Sequence, residues 1–125
     1  MDSKGKESYV YVADINKYSS SDLSNLKLFV SMACCNGKGG SSAKNIVNSI
    51  YSKGAKTSIG CTTTTYIPQA GDWLTHFSMA MGISGKTVSE AMSIADSFVL
   101  MLNSSPGGTN NRLVRGSVNY SLKIK

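Results

Sequence analysis

The side chains in this sequence with chemistry to offer are three cysteines and one histidine, and the cysteines come first. Leu28-Phe29-Val30-Ser31-Met32-Ala33 is an apolar run that ends in Cys34-Cys35, with Asn36-Gly37 following at once. A buried strand that stops at a thiol and gives way to a turn puts that thiol where open α/β sheets hold their reacting groups. A thiol becomes a nucleophile once its proton is removed, so Cys34 is the candidate nucleophile. Cys35 alternates to the other side of the chain and reads as a packed small hydrophobe, and Cys61, at the end of a second apolar segment, reads as core. The base is harder to find. His76, the one histidine, lies three residues after Trp73 and next to Phe77. That spacing sets it beside a buried helical stripe, as an edge histidine rather than a general base.

The turn after the thiol, Gly37-Lys38-Gly39-Gly40-Ser41-Ser42, also has the strand–loop–helix order of an anion cradle. Lys38, Lys44 and Lys53 would serve an anion or nucleic acid there. The phosphate-loop pattern fails because Gly39 follows Lys38 where Ser or Thr is required, and the dinucleotide glycine spacing is absent. Asp72 and Glu90 are most simply first-turn acids favoured by a helix dipole. Nothing in the sequence calls for a cofactor or a metal.

The elements that must position Cys34 follow from periodicity. Residues 26–33 read as a strand buried on both faces. Ser42 can cap a helix with Ile46, Val47, Ile50 and Tyr51 on one side, ended by Gly54 in a left-handed conformation. Residues 56–61 read as a second strand, so the strand–helix–strand unit predicts a right-handed parallel crossover. Residues 62–69 form a threonine-rich loop, and 72–81 a helix with Trp73, Leu74, Phe77 and Met81 inward. Thr87-Val88-Ser89-Glu90 matches the capping box and starts a helix that runs to about Leu102, with Val88, Met92, Ala95, Val99 and Leu102 inward. Tyr9-Val10-Tyr11-Val12 reads as a short strand, Ser19 to Asp22 as a turn capping a brief helix through Leu26, and residues 113–124 as one or two closing strands. The fold class is α/β with a small, mostly parallel sheet flanked by helices. The chain divides into a connector (1–25), a core (26–103) and closing strands (104–125) of a single domain.

Of the 125 residues, 41% are hydrophobic, enough for a packed core. No apolar run approaches the roughly 20 residues a membrane span needs, and no secretory signal opens the sequence. Adjacent cysteines and an odd total argue against a disulfide framework and for a reducing, cytoplasmic setting. The net charge of +6 comes from thirteen dispersed basic residues without interleaved aromatics, a solvated surface rather than a nucleic-acid footprint.

Residues from Leu28 to about Val99 resemble the second half of a caspase-like cysteine peptidase, of the bacterial branch that includes the CHAT domains. Met32-Ala33-Cys34 stands where that family has Ser-Ala-Cys at a strand end, with Asn36-Gly37 as the glycine-bearing turn. Lys53-Gly54-Ala55 then leads into a strand and Thr62-Thr63-Thr64-Thr65, and Trp73-Leu74-Thr75-His76-Phe77 matches the aromatic helix. Gly85-Lys86-Thr87-Val88-Ser89-Glu90-Ala91 matches the opening of the last helix. The resemblance implies one half of a three-layer sandwich, with Cys34 attacking a peptide carbonyl. It implies a substrate cleft lined by Met32, Asn36, Gly37, Thr63 and Thr64. It departs in two places. Met32 replaces the usual serine or glutamine, and no histidine precedes Cys34, although the family keeps its base in an upstream His-Gly. The implied molecule is the nucleophile half without the base half, a partner for a protein or peptide, and an exposed sheet edge that favours self-association or a complementary chain. The alternative is a non-catalytic module that binds a partner through that edge.

Overall fold

The computed structural model describes residues 15–19, 21–32 and 36–122. Cys34, Cys35 and the strand expected at Tyr9–Val12 lie outside the described residues. The element order is β1 (Leu28–Ser31), a 3-10 turn (Gly40–Ser42), α1 (Ile46–Ser52), β2 (Thr57–Cys61), α2 (Ile67–Gly82), α3 (Val88–Asn103) and β3 (Arg112–Gly116).

The sheet has the order β1-β2-β3. β1 runs parallel to β2 across α1, with Val30 opposite Ile59. β3 returns antiparallel, with Val114 opposite Ile59. The sheet is therefore mixed rather than mostly parallel, because the closing segment comes back from the end of α3 beside β2. An isolated bridge between Thr87 and Ser121 ties the last described residues to the start of α3. All of β2 is buried, as expected of a central strand covered on both faces. Ile59 and Cys61 face α2 and α3 and share a core with Trp73, Phe77, Met81, Val88, Ala95 and Val99. Ser58 and Gly60 face the other way, toward α1, where the Ser58 hydroxyl donates to the Val47 carbonyl at 2.8 Å.

Several boundaries differ from the sequence reading for local reasons. α1 is capped by Asn45, whose side chain accepts from the Asn48 amide, and not by Ser42, which closes the 3-10 turn. Gly54 does hold the left-handed position after α1, with φ of 113°. α2 starts at Ile67, five residues before the expected Asp72, because Pro68 falls in the first turn, where its missing N–H costs no hydrogen bond. Asp72 is consequently a mid-helix residue, accepting from Asn103 Nδ2 at 2.8 Å. α3 begins as expected, with both halves of the capping box formed between Thr87 and Glu90. Leu102 is exposed, and Ala91 takes the inward place instead. Residues 21–25 form turns rather than a helix, held by Asp22, which accepts from the Ser19 amide and hydroxyl.

Ile59 has no exposed surface at the centre of the sheet. Ile59→Ala should lower stability by about 2–5 kcal/mol in chemical denaturation, through lost burial and the cavity left behind. Glu90 is held below its ordinary value of 4.5 by hydrogen bonds from the Thr87 backbone and then from its side chain. A depressed carboxylate stabilises the fold above its ordinary pKa and loses that contribution as pH falls through the folded value. The stability gap between wild type and Glu90→Ala at neutral pH should therefore close in urea titrations taken toward about pH 3.

Candidate functional site

The carboxyl ends of β1 and β2 and the start of β3 form one rim of the sheet. At Met32, just past β1, the carbonyl accepts from the buried Thr65 hydroxyl at 2.6 Å. The Met32 side chain is buried, with its sulfur 3.3 Å from the sulfur of Cys61. Four residues further on, Asn36 is fixed to the edge of β2. Its Oδ1 accepts from the Cys61 amide at 3.0 Å, while its Nδ2 makes a longer contact of 3.4 Å to the Ser31 carbonyl. The Gly37 amide donates to the Cys61 carbonyl at 2.8 Å. Asn36 and Gly37 thus satisfy both backbone groups that Cys61 turns toward β1. The fit requires glycine at position 60, since a Cβ there would lie 2.4 Å from both Asn36 Oδ1 and Val47 Cγ2.

The second wall of the rim is the loop after β2. Thr63 and Thr64 are exposed, while Thr65 is buried beneath them. Asn111 donates from Nδ2 to the Thr63 hydroxyl at 3.2 Å, and its carbonyl accepts from the Thr62 amide at 2.8 Å. The Gly108 backbone passes so close to Thr64 that a Cβ would sit 2.1 Å from the Thr64 carbonyl. Residues 107–111 therefore pack along one side of the threonine loop.

All five cleft residues expected from the sequence gather at this rim, but in two roles. Thr63 and Thr64 face outward. Met32, Asn36 and Gly37 hold the framework, and the Gly37 amide is already committed to Cys61. Met32 and Asn36, both anchored to β2 or its loop, flank Ala33, Cys34 and Cys35 in sequence. Cys61 is buried in the core. The glycine turn is closed by its own carbonyls: Asn45 Nδ2 donates to Lys38 and Gly40, and Asn48 Nδ2 donates to Gly40 and Ala43.

His76 is not at the rim. It lies on α2 roughly 15 Å along the helix axis from Tyr66, with its ring stacked on Phe98 at a centroid distance of 4.0 Å. Among the described residues, no three His, Cys, Asp or Glu side chains gather around a common metal position. No helix among the described residues is long and apolar enough to cross a membrane.

One group at the rim has no counterpart in the sequence reading. Arg112, opposite Cys61 on β3, forms a two-pronged pair with Asp96 of α3, at 2.6 and 3.0 Å. Trp73 Nε1 donates to the same carboxylate at 2.9 Å, and Arg112 also donates to the Thr109 carbonyl at 2.8 Å. The signal was the acid Asp96 in α3 and the indole of Trp73 in α2, but Arg112 is separated from both by a glycine-rich break. No family model matches the chain, and no curated protein or solved structure matches it.

Asn36→Ala would leave the Cys61 amide buried without its acceptor and should cost about 1–3 kcal/mol in chemical denaturation. Thr63→Ala, at the exposed side of the same rim, should stay within about 0.5 kcal/mol of wild type.

Proposed function

We propose that this chain is the nucleophile-bearing half of a caspase-like cysteine peptidase, with Cys34 as the attacking thiol. The observation that carries this reading is the rim itself. A parallel strand–helix–strand unit ends β1 beside β2, and the chain on either side of Ala33-Cys34-Cys35 is anchored there by Thr65 and by Cys61. A nucleophile needs such a fixed backbone, because reaction requires an approach of about 3–3.5 Å in one orientation. The outward Thr63 and Thr64 would line the peptide-binding side. In the reaction, the thiolate sulfur attacks the peptide carbonyl carbon, the amine leaves with a proton, and water releases the acyl group. The proton carrier would come from a histidine-bearing half supplied by another chain, since His76 is remote. The proposed setting is the cytoplasm, where thiols remain reduced.

The position of His76 also favours a second reading, a non-catalytic module that binds a protein partner along the outer edge of β1, which is an edge strand among the described residues. The two readings separate at the thiol. Alkylation by iodoacetamide at neutral pH, followed by peptide mapping, should modify Cys34 about tenfold faster than a free model thiol if its pKa is lowered by a unit or more. Reaction no faster than the model thiol would remove the activated nucleophile and leave the binding module.

A further inference from the structure

The side of α2 and α3 turned away from the sheet carries two apolar stripes. His76 and Met79 on α2 with Ile83 at its C-cap, and Ile94, Phe98 and Met101 on α3, recur at three- and four-residue spacing and so share one face of each helix. The helices run antiparallel, since Asp72 near the start of α2 meets Asn103 at the end of α3 and His76 stacks on Phe98. Between them lies a groove of about 420 Å³. Ile83, which lines one end of the groove, is 79% exposed, and Met101, past the other end, is 67% exposed, so the apolar surface is open to a partner. A contiguous patch of this kind marks an interaction surface.

Charge identifies the occupant. Neither helix contains a Lys or Arg, and they carry Asp72, Glu90 and Asp96. Asp96 is taken by Arg112. Asp72 and Glu90 continue the two stripes by one turn each, at opposite ends of the groove, about 18 Å apart along the axis. Lys86, in the connecting turn, acts on Glu90. Elsewhere, apart from Lys86 and Arg112, seven Lys and Arg among the described residues face a single described acid, Asp22. The apolar face is thus the acidic pole of a basic protein. A second copy docking by the same face would oppose like carboxylates, and an anionic lipid surface would be repelled.

We propose that this groove docks a cationic amphipathic helix of a partner protein. Its apolar residues at helical spacing would fill the groove as a third helix, and Lys or Arg about twelve residues apart would reach Glu90 and Asp72. The site is independent of the rim and of Cys34.

The test uses the whole chain and two fluorescein-labelled amphipathic helical peptides, one built of Leu and Lys and the other of Leu and Glu, read by anisotropy. The Leu/Lys peptide should bind, Ile83→Lys and Met101→Lys should each weaken it tenfold or more, and the Leu/Glu peptide should not bind. Both positions are exposed, so the fold survives the substitutions, as circular dichroism checks. No Leu/Lys binding, equal binding of the Leu/Glu peptide, or Leu/Lys binding unchanged by both substitutions overturns the proposal. So does a dimer in sedimentation that Ile83→Lys abolishes, which assigns the face to a second copy.

Discussion

The rim of the sheet depends on one amide side chain seated over one glycine. Asn36 can accept from the Cys61 amide only because residue 60 has no side chain in its way. The same small residue, with Ser58 two positions earlier, lets α1 lie against the sheet through Val47. A larger residue at position 60 would push on the rim and on the helix layer at once. Asn36 is therefore held by the packing of the sheet's α1 face rather than by local propensity.

On the proposed peptidase reading, this arrangement separates positioning from proton transfer. The strand–turn–helix unit supplies the backbone placement, with hydrogen bonds spent on Met32, Gly37 and Cys61. The single imidazole sits against Phe98 in another layer, where it walls a groove instead of facing the rim. On that reading the proton carrier belongs to a histidine-bearing half, whereas the proposed recognition through the helix layer calls for no such group.

Much of the scaffold was legible in the sequence because it rests on local rules. The capping box at Thr87–Glu90, the left-handed Gly54, and the inward Trp73, Phe77 and Met81 all follow from spacing within one element. The misreadings arose where a tertiary or loop contact decided. Asn45 captured the cap from Ser42 because it also binds the carbonyls of the glycine turn. The first turn of α2, which Pro68 permits, follows a cap residue, Tyr66, whose amide is held by the Gly107 carbonyl from beyond α3. The antiparallel return of β3 depends on a register that no local pattern encodes. At the site, the family resemblance implied Met32, Asn36 and Gly37 as cleft residues close to Cys34 in sequence. Their framework roles appear only when Cys61, more than twenty residues away, is brought beside them.

The Asp96 carboxylate joins all three parts of the molecule: its own helix, the indole of α2 and the guanidinium of β3. Trp73 is the sole tryptophan, fully buried and stacked on Phe77 at 4.8 Å. Its emission is consequently an intrinsic optical gauge of whether the helical layer is seated on the strands. Detachment of either would wet the indole and redden its spectrum before the strands themselves came apart.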